Sequence, residues 1–179
     1  LLKKFRVNDK KTPIVFMGYM NTFESLGANK FMQEAVKASL DGILIVDMPP
    51  EESSNFSIEA EKVGVDIIRL IAPTTSSSRA KKICSQCSGY VYYISVKGIT
   101  GASNINAEEV KAKVSELRSH TDLPIAIGFG IKDSASASSV KDVADGVVVG
   151  SVFVDLIGEG GNIIEKVESK TKELSEVLS

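Results

Sequence analysis

Three glycine-bearing segments are the part of this sequence best suited to chemistry: SVKGITGAS (95–103), GFGI (128–131) and VVVGSVF (147–153). Glycine carries no Cβ, so backbone N–H groups can close on an anion there, and a short helix beginning at Gly150 and Ser151 would add its positive end. A phosphate suits such a nest. The plainer alternative is that these glycines only relieve crowding between strands and helices. Asp47 closes the run ILIVD ahead of MPPEES and is the clearest carboxylate near the glycines. It would serve either as a general acid or base, which needs a shifted pKa and a second group, or as a cap for the following helix. Tyr19, Tyr92 and Phe129, with the apolar strand ends, supply an aromatic and largely uncharged lining that suits a flat ring attached to a phosphate.

These residues need strands to carry them. Apolar runs rich in β-branched residues occur at 13–19, 42–47, 66–73, 90–95, 124–130 and 146–151, and they predict strands buried on both faces. Helical patterns lie between them at about 28–39, 50–63, 76–87, 107–119, 133–143 and 161–178, with Asn106 and Asp133 as good N-caps. The alternation of strand and helix implies parallel strands with right-handed crossovers.

Two architectures meet that pattern, an open doubly wound sheet and a (β/α)8 TIM barrel. The 179-residue length favours the open sheet, because a barrel takes eight units and about 250 residues. Against the open sheet, no GxGxxG opens a helix after the first strand. In either case ligands bind at the carboxyl ends of the strands. That side receives Tyr19, Asp47, Gly128, Gly130, Gly150 and Ser151, whereas Asp66, His120, Asp122 and Asp145 precede strands and fall on the structural side. His120 is expected to interact with the end of its own helix. As the sole histidine, on the wrong side, it excludes a Ser-His-Asp triad. Lys97, on a glycine-rich loop, lacks the burial that would make it a Schiff-base lysine.

Composition narrows the partners. With 21 basic and 23 acidic residues the formal charge is −2, which provides no broad field for nucleic acid or an anionic membrane. No apolar run approaches the roughly 20 residues of a membrane span and no signal peptide opens the chain, so a cytoplasmic protein of one domain over 1–179 is expected. Cys84 and Cys87 form CSQC, but the pair closes a helix instead of opening one, so a structural role is expected over a redox role. No metal site is expected, since zinc would need two further soft ligands. The opening LLKKFRVNDKKTP lacks methionine and reads as the tail of an amphipathic helix, which suggests a missing beginning.

Taken in order, PIVFMGYMN, DGILIVDMPPEE, LIAPTT, GYVYYISVKGITGA, TDLPIAIGFGI and ADGVVVGSVFV resemble the tryptophan synthase alpha chain family over nearly the whole sequence. The resemblance implies a (β/α)8 barrel, of which strands 3 to 8 and their helices are present. It implies retro-aldol cleavage of indole-3-glycerol phosphate to indole and glyceraldehyde 3-phosphate in tryptophan biosynthesis. A heterotetramer with a beta chain is implied too, in which pyridoxal phosphate belongs to the beta chain and no cofactor to this one. Position by position, Gly101, Gly130, Gly150 and Ser151 match the phosphate-binding residues. Tyr92 matches an aromatic residue of the substrate pocket, with Phe129 beside it and Tyr19 and Leu44 at matching strand ends. Thr100 matches a loop threonine that closes over substrate. Asn21 and DMPPEE match regions near the beta-chain contact, which turns Asp47 towards an interface or loop-ordering role. The family's catalytic glutamate and aspartate would precede Leu1, and Val96 stands where arginine is frequent. Two other functions fit the residues: a different phosphate-binding barrel enzyme acting on a sugar phosphate, or a non-catalytic activating subunit.

Overall fold

The computed structural model describes residues 1–51, 54–95, 107–128 and 130–178. The strands are β1 (Val15–Gly18), β2 (Gly42–Ile45), β3 (Asp66–Ile71), β4 (Val91–Ile94), β5 (Ile125–Gly128) and β6 (Gly146–Val148). Every pairing is parallel and the spatial order is β1-β2-β3-β4-β5-β6. A doubly wound sheet reverses its strand order at a switch point. This sheet has none, and it curls as a half-barrel with its helices outside.

The helices are α1 (Leu2–Asn8), α2 (Met20–Glu24), α3 (Ala28–Ala38), α4 (Ser54–Val63), α5 (Ser77–Cys84), α6 (Ala107–Arg118), α7 (Ser134–Ser138), α8 (Ser151–Gly158) and α9 (Ile163–Leu178). The short α2 was not expected from the sequence. The helix expected over 133–143 is regular only in α7. Asp133 does build a full capping box with Ser136. The serines that follow turn back on the backbone, Ser139 Oγ donating to Ser136 O at 2.7 Å, and this competes with helix propagation. Asn106, the other expected cap, lies outside the described residues.

Alternation along each strand sorts its side chains into two layers. Outward, Ile43, Ile45 and Ile67 pack with Phe23, Met32, Phe56 and Ala60 in one cluster. Ile71, Val91, Tyr93, Ile125 and Ile127 pack with Ile83, Val110, Val114, Leu117 and Leu174 in another. Inward, Leu44, Ile68 and Tyr92 form the buried centre of the barrel-facing side, joined by half-buried Leu70 and Val148.

The end of the sheet opposite the glycines is closed by a repeated device. Asp41 donates its N–H to Ile14 O at 3.1 Å and accepts the Ile14 N–H on Oδ2 at 2.7 Å. Asp145 repeats this with Ile125, at 3.0 Å and 2.8 Å. In both cases an Asp-Gly pair opens a strand and its aspartate ties off the start of the preceding one. Asp145 thus holds the structural position expected of it. His120 does stand at the end of α6, its N–H donating to Leu117 O at 2.8 Å, but its Nε2 lies 3.0 Å from Ser77 Oγ, on the first residue of α5. The packing of α6 on α5 brings the imidazole to that hydroxyl instead of to its own helix end.

Candidate functional site

β5 pairs with β6 so that Gly128 stands opposite Val148. Gly130 and Gly150 each lie two residues beyond that row, at the same end of the sheet. Gly130 has φ of 83°, a conformation L side chains rarely adopt, and both glycines are exposed. A Cβ on Gly150 would meet nothing within 4 Å. Gly150 is the N-cap of α8, which has no side-chain cap and no acidic residue in its first turn. The N–H groups of Phe153 and Val154 both return to Gly150 O, at 3.0 and 3.2 Å. The Ser151 and Val152 amides therefore lack helical partners, and with the helix dipole they offer donors and positive potential to an anion.

Beside this lies the apolar inner face. Tyr92 is buried against Leu44 and Ile68. A Cβ built on Gly128 would overlap the Tyr92 ring and hydroxyl. Gly128 is therefore bare in order to admit an aromatic ring, a purpose distinct from that of Gly130 two residues on. Its inward place in β5 was readable from strand alternation, but its partner was not. Burial pushes the Tyr92 phenol above its ordinary pKa, so it stays neutral. Ile68, which the sequence did not single out, completes the floor.

Tyr19 directly follows β1 and is the N-cap of α2, with an exposed ring. The residues just before α4 lie outside the described residues, and the contact shown for Asp47 is with a different helix. Asp47 Oδ1 accepts the Met20 N–H at 2.7 Å and so fixes the start of α2, on the neighbouring strand's loop. Of the other expected site residues, Thr100, Gly101 and Phe129 lie outside the described residues, as do Val96 and Lys97.

Other chemistry is sparse among the described residues. No group of three or more His, Cys, Asp or Glu side chains is placed to hold a metal ion. Both cysteines are free, α5 ends at Cys84, and burial pushes the Cys87 thiol up to about 12. A cavity of about 580 Å³ lies between α4 and the turn at Ser85–Ser88, but it is lined by Asp66 and Ile67 at the start of β3, away from the glycines. No helix is long and apolar enough to cross a membrane.

A family model described as tryptophan synthase alpha chain matches residues 1–179. The chain belongs to the tryptophan synthase alpha chain family. It is 43% identical over 180 residues to the tryptophan synthase alpha chain of Polynucleobacter necessarius, covering 99% of this chain and 68% of that one. It is 48% identical over 159 residues to that of Thioalkalivibrio sulfidiphilus, covering 89% of this chain and 60% of that one. Among solved structures, the alpha subunit from Legionella pneumophila superposes with a TM-score of 0.87 at 32% identity, over 99% of this chain and 66% of that one. A structure of the tryptophan synthase a2b2 complex from Pyrococcus furiosus superposes with a TM-score of 0.87 at 34% identity, over 98% of this chain and 71% of that one. This chain thus spans 60% to 71% of the length of these relatives. The curled sheet is the corresponding part of the tryptophan synthase alpha TIM barrel.

Proposed function

We propose that this chain carries the substrate-binding part of a tryptophan synthase alpha subunit, which cleaves indole-3-glycerol phosphate to indole and glyceraldehyde 3-phosphate. The observation that carries this is the pairing of an open anion cradle, Gly130 with Gly150–Ser151 at the uncapped start of α8, with the buried apolar face of Tyr92, Leu44 and Ile68. One end takes a phosphate and the other a flat ring, and indole-3-glycerol phosphate has both. Gly101 would add backbone to the phosphate site, Phe129 and Tyr19 would flank the ring, and Thr100 would close over the glycerol.

Cleavage requires a proton delivered to the indole carbon that bears the side chain and a base that takes the proton of the adjacent glycerol hydroxyl. The O–H electrons then form the aldehyde while the C–C pair returns to the ring. Residues of this chain hold the two ends of the substrate and so orient the breaking bond. Asp47, engaged by Met20 N–H, is assigned to loop ordering and not to this proton transfer. The indole product passes to a beta chain in which pyridoxal phosphate joins it to serine; no cofactor is assigned here.

Titration with indole propanol phosphate, which joins an indole to a phosphate, tests the binding site. Saturable binding that inorganic phosphate competes away is expected, and absence of binding would overturn the proposal. Addition of a beta chain with indole-3-glycerol phosphate tests the activity. Release of indole separates a lyase subunit from a pure activator, which would release none.

A further inference from the structure

Arg69 occupies an outward position on β3 between Ile67 and Ile71, where the strand pattern calls for an apolar residue. It is 4% exposed, the one buried charged side chain among the described residues. No carboxylate of the described residues pairs with it. Its Nε donates to Gln86 O at 3.4 Å, one terminal nitrogen to Met48 O at 3.3 Å and the other to Ser57 Oγ at 3.2 Å. A buried charge without a counter-ion is costly, and an apolar side chain of similar size would serve packing at least as well. What the guanidinium adds is reach, because its flat fork of five donors can tie three segments at once.

Only one of those segments leads to the ligand side. Met48 follows Asp47 directly, and Asp47 Oδ1 holds the Met20 N–H at 2.7 Å. Met20 opens α2, whose N-cap is Tyr19. Further along, Glu51 is tied to Lys82 at 2.8 Å and Arg79 at 3.5 Å, but this exposed pairing is screened by solvent. The buried tie is therefore the one that sets the position of the loop.

We infer that Arg69 is a positioning residue: from outside the barrel it fixes the Met48 carbonyl, keeps Asp47 on the Met20 N–H, and so sets the Tyr19 side of the substrate mouth. The placement of the loop stands on the contacts above, while its consequence for substrate rests on the proposed function.

Hydrogen exchange in the folded protein, paired with indole propanol phosphate titration, tests it. In Arg69→Met, exchange at Met20 and across 46–48 should quicken by about 10-fold or more while β4 and β5 amides keep their protection. In an Asp47→Ala background the same substitution should add nothing at Met20, since the tie it acts through is already gone. Affinity for indole propanol phosphate should fall several-fold in Arg69→Met and recover in part in Arg69→Lys. Uniform loss of protection across β4 and β5, additive effects with Asp47→Ala, or local quickening with unchanged affinity would each overturn the inference. If Arg69→Met does not fold, Ser57→Ala and Arg69→Lys, which keep the charge, carry the same comparison. A parent protein that does not bind indole propanol phosphate would overturn the proposed function and leave the exchange data to decide the Arg69 tie.

Discussion

The Tyr92 ring fills the space that a side chain on Gly128 would need. The two residues face inward from neighbouring strands, and β4 and β5 cannot keep their register if both carry bulk at that point. Gly128→Ala should lower the unfolding free energy by about 1–3 kcal/mol through overpacking. In a Tyr92→Leu background the same substitution should cost less than about 1 kcal/mol, because the overlapping ring atoms are gone. Urea unfolding of the four proteins measures the coupling, and equal penalties in both backgrounds would show that the overlap is not the cause.

Binding and stability should separate at Gly150. Since a Cβ there meets nothing within 4 Å, Gly150→Asp should change stability by less than about 1 kcal/mol. A carboxylate at the mouth of α8 would nevertheless repel a bound phosphate, and affinity for indole propanol phosphate should fall by more than about 10-fold. Gly150→Ala, without the charge, should lose less. Unchanged affinity in Gly150→Asp would remove the start of α8 from the phosphate site.

Asp145 should make the stability depend on acid. The Ile125 N–H and then the Arg118 guanidinium hold its carboxyl below the usual carboxylate value of 3.8. Its stabilisation is therefore complete above about pH 4 and is lost as pH falls through the lowered folded-state value. Asp145→Asn should be less stable than the parent at pH 7, and the gap should narrow on acidification. Because the side chain is 40% exposed, the gap should be modest. Urea midpoints at neutral and acid pH measure it, and a gap that ignores pH would point away from the charge.

Cys87 should be unreactive in the folded protein. With its thiol pushed up to about 12, only about one molecule in ten thousand carries the thiolate at pH 8. Iodoacetamide should leave both cysteines unlabelled under native conditions and modify both in urea, as mass spectrometry would show. Rapid native labelling of Cys87 would return CSQC to the redox candidates.

Much of this was legible along the chain because it is local. A short apolar run rich in β-branched residues marks a strand, so all six strands fall within the runs expected. Burial on both faces does not extend to β1, where Phe16 and Met17 are exposed, or to half-buried β6. The start of α8 at Ser151 follows from a glycine before an apolar helical stretch. The same glycines marked the ligand side, because chain direction alone puts them at the carboxyl ends of parallel strands. Composition set the bounds on charge and membrane spans, and the ordered motifs pointed to the family.

What required the folded chain is whatever depends on a partner from another element. Serine-rich 133–143 shows the limit nearest to sequence, since its hydroxyls choose between helix and back-bonding only once Asp133 has capped α7. Ser77 and His120 meet across 43 residues, Asp47 and Met20 across 27, and Arg69 and Met48 across 21. Propensity and periodicity report what a residue prefers, but a hydrogen bond or an overlap is a property of two positions in space. The sequence by itself therefore determined which residues stand at the ligand end of the sheet. Tertiary structure decided what each one touches: Gly128 makes room for a ring, Gly150 opens α8 without a side-chain cap, and Asp47 holds a loop.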